Sequence, residues 1–255
     1  WQWRDAFQVD GTLRGEGLSL DWGSIQARGL DADLALDWRQ GQAPNIRSRA
    51  PLTLANLDVG VPVTEVRMGV DTDLDQWRFE KISAQLLGGE VRAPRLRWPS
   101  SEWQPVVLTG IELNQLAALQ NEAVVSLTGE VGGYIPLRLA ADSVAVRDGR
   151  LANETPLSLA LLPAAGTQAM AESNRAVSIA LEALNPLRVE RFSAQVDMAD
   201  DGWLDAAVHI RGTNPQRNGL PVVFNYTHKE NVLELLRSLR IGERITDRVM
   251  TETRP

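Results

Sequence analysis

The sequence predicts a mostly β fold built from antiparallel strands, with two short amphipathic helices, one of them at the C-terminal end. Three observations carry this expectation: period-two alternation of apolar and polar residues, Gly-containing breaks between the alternating runs, and only two stretches of helical periodicity. Alternation places every second side chain on one face of a strand, so each run has one greasy and one wet face.

The first clear run is GLDADLALDW, where Leu30, Ala32, Leu34, Leu36 and Trp38 share one phase and Asp31, Asp33 and Asp37 the other. The pattern recurs at Val66/Met68/Val70, Ile82/Ala84/Leu86, Leu157/Leu159/Leu161 and Val177/Ile179/Leu181. It returns at Phe192/Ala194/Val196/Met198 and Leu204/Ala206/Val208/Ile210. VDGT, WGSI, LLGGEV, VRDGR and ADDGW read as turns between runs, at a spacing that suits hairpins. In TGIELNQLAALQ, Thr109 and Glu112 have capping-box spacing ahead of Leu113, Leu116 and Leu119. Thr227 and Glu230 repeat that spacing before Val232, Leu233, Leu235, Leu236 and Leu239, with Gly242 as the stop. Residues 162–174 lack alternation and read as a long connection or a short helix. Trp22, Trp38, Trp98 and Trp203 fall at strand ends, where amphipathic rings mark a rim.

Composition narrows the function. At 255 residues, 44% hydrophobic and 23% charged, the chain is globular in character. Its apolar runs are all shorter than the roughly 20 residues of a membrane-spanning helix. It opens WQWRDAF, without an initiator Met, and reads as a fragment or mature region of something longer. A net charge of −7, with arginines scattered along strands, disfavours nucleic acid as a partner. With no cysteine, thiol nucleophiles and thiolate metal sites are excluded.

No catalytic signature stands out. His209 lies on a polar strand phase and His228 at the expected start of the last helix, too far apart in the pattern to share a site. GEVGG (129–133) and LLGGE (86–90) are Gly-rich but precede no phosphate-cradling helix and read as turns. The carboxylate pairs Asp31/Asp33, Asp71/Asp73 and Asp200/Asp201 suit a two-carboxylate glycosidase only in count, because they occupy wet phases or turns. Asp71, Asp73 and Asp75 lack the Gly and distal Glu of a calcium loop. The expectation is a non-enzymatic protein with no cofactor and no metal. From periodicity alone the apolar phases fit a sealed sandwich, a closed barrel or an open trough.

LTGIELNQLAALQ (108–120), YIPLRLAADSVAVRDGRLAN (134–153) and VVFNYTHKENVLELLRSLRIGERI (222–245) together resemble the C-terminal region of the YdbH family, AsmA/TamB-like proteins of Gram-negative envelopes. The likeness covers most of 105–245 and is diffuse over 1–104. ANETPLSLALLP replaces the Gly-Gly pair expected after the DGRL turn.

The resemblance implies a long curled antiparallel sheet forming an open hydrophobic groove, a β-taco, over 1–255, with a candidate subdivision at 100–105. It implies intermembrane phospholipid transport in the periplasm, with an inner-membrane anchor on the full-length, membrane-associated protein. The implied partners are phospholipid, a small outer-membrane YnbE-like lipoprotein added by β-strand augmentation, and a periplasmic YdbL-like protein. The groove would be lined by Leu34, Leu36, Ile82, Leu86, Leu137, Leu139, Leu159, Leu161, Ile179, Leu181, Phe192, Val196, Val208 and Ile210. Val222, Val223, Phe224, Asn225 and Tyr226 would form the partner-binding strand. Leu233 and Leu236 would face inward on the closing helix, with Arg237 and Arg240 toward water or head groups.

Overall fold

The computed structural model describes residues 7–22, 25–118, 125–161, 175, 178, 182 and 184–237. Fifteen strands form a single sheet. They are β1 (Gln8–Trp22), β2 (Ile25–Arg39), β3 (Asn45–Ser48), β4 (Leu52–Asp58), β5 (Pro62–Thr72), β6 (Trp77–Leu86), β7 (Gly89–Trp98) and β8 (Gln104–Glu112). After the short helix α1 (Leu113–Ala118) come β9 (Val125–Thr128), β10 (Glu130–Leu139), β11 (Val144–Asn153), β12 (Leu157–Leu161), β13 (Leu187–Met198), β14 (Trp203–Asn214) and β15 (Leu220–Asn231). A second helix, α2, occupies 232–237. The mostly β, antiparallel expectation holds, as do the two short helices.

Every pairing is antiparallel and the order follows the chain almost throughout. Two long strands are shared by broken neighbours. β3 and β4 together flank β2, and β11 and β12 together flank β13. β9 continues β10 past Gly129 and pairs with β12. Among the described residues β1 pairs only with β2, and β15 only with β14.

Bulges bend this sheet. Register slips in β5, β6 and β11 coincide with Glu65, Lys81 and Asp148, each in the left-handed region at φ 51, 52 and 52°. A bulge inserts one residue, kinks its strand and steepens the local twist. The VRDGR stretch is one of these and is not a hairpin: Asp148 donates its backbone N–H to Asp197 Oδ1 at 2.8 Å and the strand carries on. VDGT likewise lies inside β1, where Gly11 faces Leu36. GEVGG is strand from Glu130 onward, because β8 and β11 supply ladder partners on both sides. LLGGEV and ADDGW are turns as expected. Leu87 and Gly88, at φ 48 and 75°, make a tight primed turn whose twist matches its strands.

Both capping boxes start later than their spacing suggests. Thr109 and Thr227 are strand residues, since neighbouring strands already satisfy their backbone. α2 begins after Asn231, whose Oδ1 accepts the Glu234 N–H at 3.0 Å. His228 is therefore in β15 and not at a helix start. Ser178, inside the strand expected across 177–181, is helical. Arg175, Glu182 and Leu184 are helical too, and the Ser178 hydroxyl reaches Glu182 at the i, i+4 spacing of a helix, 3.4 Å away. Val177, Ile179, Leu181, the 162–174 loop, Leu239, Arg240 and Gly242 lie outside the described residues.

The tightest packing sits at one end of the sheet. Ile111, Leu113, Val131, Leu157, Leu187 and Val189 form a buried cluster, joined by half-buried Leu86, Phe192, Ile210 and Val222. Smaller clusters centre on Leu54/Val66/Ala84 and on Ala194/Val196/Ala206/Val208. Glycine makes close approaches possible here. A Cβ on Gly212 would lie 2.1 Å from the Arg188 carbonyl oxygen, so the backbones of β13 and β14 meet without a side chain between them.

Candidate functional site: a continuous apolar face

Residues directly opposite across a strand pair point to the same side of a sheet. Followed strand to strand, the register connects one apolar face from edge to edge. Leu13 faces Leu34, Leu36 faces Ile46, and Leu30, Leu54 and Val66 form a row. Val70, Phe79 and Leu96 continue it, as do Ala84, Val91 and Leu108. Leu137, Val146, Met198 and Leu204 form another row, and Leu151, Ala194, Val208 and Tyr226 a parallel one. The last row ends Phe192, Ile210, Phe224.

The opposite face is ionic. Asp33 pairs with Arg14 and Arg49, Asp71 with Arg78, Glu90 with Arg92, and Asp200 with Arg138. The carboxylates considered for catalysis are thus engaged in holding turns and strands. Asp31 accepts the Gly17 N–H at 2.8 Å, and Asp73 closes the β5–β6 turn by accepting the Gln76 N–H at 2.7 Å. That hydrogen bond holds the Asp73 carboxyl below its ordinary range, and hydrogen bonds from Arg138 and Ser143 do the same for Asp200. His209 Nδ1 lies 2.9 Å from Asn225 Oδ1. Among the described residues no group of three His, Asp or Glu side chains could hold a metal ion.

The sequence-predicted lining residues fall into three groups. Leu34, Leu36, Ile82, Leu86, Leu137, Leu139, Leu159, Phe192 and Ile210 are half-buried. Val196 and Val208 are buried, in the cluster where β13 and β14 meet. Leu161 ends β12, but its side chain, like Ile179 and Leu181, is outside the described residues. Sequence reasoning missed Val91, Val106, Ile135 and Val146, which complete the face. The alternation of EVGGYIPLRL held the signal for Ile135.

β15 is the C-terminal edge. Val222, Phe224 and Tyr226 lie on the apolar side, and Val223 and Asn225 on the other. Phe224 and Tyr226 stack at 5.9 Å and remain 39% and 43% exposed. Partial burial pushes the Tyr226 hydroxyl pKa up. Leu233 and Leu236 of α2 are half-buried, and Arg237 is exposed.

α2 also reaches back to the early strands. Val232 donates its N–H to the Gly202 carbonyl at 2.9 Å, and a Cβ at Gly60 would lie 2.6 Å from the Leu236 oxygen. Gly60 belongs to the β4–β5 turn, so the sheet curls far enough for its last helix to touch an early hairpin. With φ at 96°, Gly60 is in a conformation that other residues rarely adopt. Gly60→Val is expected to detach α2 and speed limited tryptic cleavage at Arg237 at least several-fold, while circular dichroism stays strand-dominated.

One face of the single sheet is apolar along most of its rows, broken by Thr72, Gln104, His228 and Glu230, with no assembled catalytic group on it among the described residues. The family model described as "Intermembrane phospholipid transport protein YdbH" matches residues 1–254, and the chain belongs to this YdbH-like family. A relative from Escherichia coli (strain K12), "Probable phospholipid transport protein YdbH", is 28% identical over 229 residues. That match covers 86% of this chain and 26% of the relative, so the chain spans about a quarter of the relative's length. No solved structure matches.

Proposed function

We propose that this chain is a section of a non-enzymatic conduit that carries phospholipid between two membranes, its apolar face serving as a groove for acyl chains. The observation that carries this reading is the apolar face running from β1 to β15 on one sheet with both edges unpaired among the described residues. All fifteen strands lie in one sheet whose first and last strands do not pair with each other among the described residues, which favours an open trough over two stacked sheets. The half-buried state of Leu34, Leu36, Ile82, Leu137 and Leu139 also fits side chains awaiting a cover.

A phospholipid leaving a bilayer exposes hydrocarbon at about 0.8 kcal/mol per CH₂, on the order of 20 kcal/mol for two ordinary chains. An aliphatic trough removes most of that cost through non-directional contacts, so the lipid slides and its head group stays in water. No nucleophile, metal or cofactor is required. Residues 1–255 act as one unit in this reading, which the β7–β8 pairing across 100–105 supports. The finer parts follow the family. The setting is the periplasm of a Gram-negative envelope, and the whole protein is anchored in the inner membrane. The free edge of β15 accepts a strand from a YnbE-like outer-membrane lipoprotein, with a YdbL-like protein nearby.

Native mass spectrometry of the purified chain tests the central claim. Phospholipid is expected to co-purify and to leave when detergent competes. A lipid-free mass from cells with a normal lipid supply would overturn the groove.

A further inference from the structure

We infer that the outward face of β13–β15 carries a docking surface for anionic phospholipid head groups, formed by Arg191 and Arg211 beside Val223. Arg191 and Arg211 lie directly opposite one another across the β13–β14 pair, and both are exposed. Like charges in direct cross-strand opposition destabilise a sheet. The other arginine pair in direct opposition, Arg78 and Arg97 across β6–β7, is neutralised, each holding a carboxylate within 4.0 Å. No such partner lies within that distance of Arg191 or Arg211 among the described residues. Glu190, on the bulge beside them, is instead reached by the Thr213 hydroxyl at 3.5 Å.

A pair kept at a cost to the fold, with its charge left open to solvent, fits an anion that bridges both guanidiniums. The next residue in the same row identifies the surface. Val223 faces Arg211 from β15 and is 65% exposed, so two cations and an apolar side chain share one strip beside the sheet's free edge. That combination matches a membrane interface, where phosphates meet the first methylenes. The choice of a lipid phosphate over another anion rests on the conduit reading. Because the chain carries −7 overall, attraction is local to this strip and orients the protein edge-first.

The test is co-sedimentation of the full chain with vesicles of phosphatidylcholine alone or with phosphatidylglycerol at a third of the lipid. Preferential, salt-sensitive binding to the anionic vesicles is expected. At about 1 kcal/mol per arginine, Arg191→Gln with Arg211→Gln should weaken it roughly 30-fold. Arg191→Glu creates a cross-strand ion pair, so it should keep or raise the melting temperature while losing the vesicle preference. Equal binding to both vesicles, or an unchanged double variant, would overturn the docking surface. Equally tight binding to polyglutamate would overturn the choice of lipid. Native mass spectrometry of the Gln variants separates the two readings, because groove-bound lipid is expected to be unaffected.

Discussion

Replacing Leu137 with Asp is expected to empty the groove of lipid and leave the sheet folded. Leu137 sits on the apolar face between Gln104 and Val146 and is half-buried, so a carboxylate there keeps contact with water in the lipid-free protein. An acyl chain sliding over it would strip that water, at a cost of several kcal/mol for an unpaired charge. Phospholipid co-purifying with Leu137→Asp should fall at least ten-fold by native mass spectrometry, while the far-ultraviolet spectrum is unchanged and the melting temperature moves by only a few degrees. A variant that unfolds outright would mean this position is sealed core, and the groove reading would fail with it.

Leu187→Ala is expected to act the other way, on stability more than on cargo. Leu187 is 0% exposed in the largest buried cluster, at the start of β13 where β12 and β14 flank it. Truncating a leucine in such a place leaves a cavity and costs about 3 kcal/mol. In a chain of this size that corresponds to a melting temperature lower by roughly 6–12 °C. Calorimetry reads it directly. A shift under about 2 °C would mean that the cluster collapses around the gap and that the end of the sheet is held by other contacts. The two substitutions separate the face that meets lipid from the packing that shapes it.

Much of this was legible in the residues, and the misses share one cause. Strand character was clear from phase, and so were the apolar faces of β2, β6, β13 and β14. What phase could not show is that the strands continue where the phase breaks. In β6 the inward residues are Phe79, then Ile82 and Ala84; in β13 they are Val189, then Phe192 and Ala194. Each switch from odd to even positions is a bulge, and to a period-two reading it looks like the end of a strand. The Asp-Gly of VRDGR added to the illusion, because the pair that makes a good hairpin turn also suits a left-handed bulge residue followed by glycine. The late helix starts have a related origin. A capping box describes what a side chain can do, whereas the ladders to neighbouring strands decide whether those backbone groups are free. The true signal for α2, Asn231 with Glu234, stood a few residues downstream of the one chosen. His209 is exposed as read, whereas His228 lies half-buried in β15, opposite Ala206 on the apolar side.

The order in which strands neighbour one another has a consequence for how such a chain is made. Because every strand but β9 pairs with the one just before or just after it, the sheet can grow largely hairpin by hairpin as polypeptide emerges. Little waits on distant sequence, which keeps loop-closure costs low and limits the time a bare edge is exposed to other chains. The contact of Leu236 with Gly60 breaks that pattern, since it joins the last helix to an early turn. It can form only after the intervening sheet has acquired its full curl, which makes it a late step in assembly, and a check that the strands between were laid down in register.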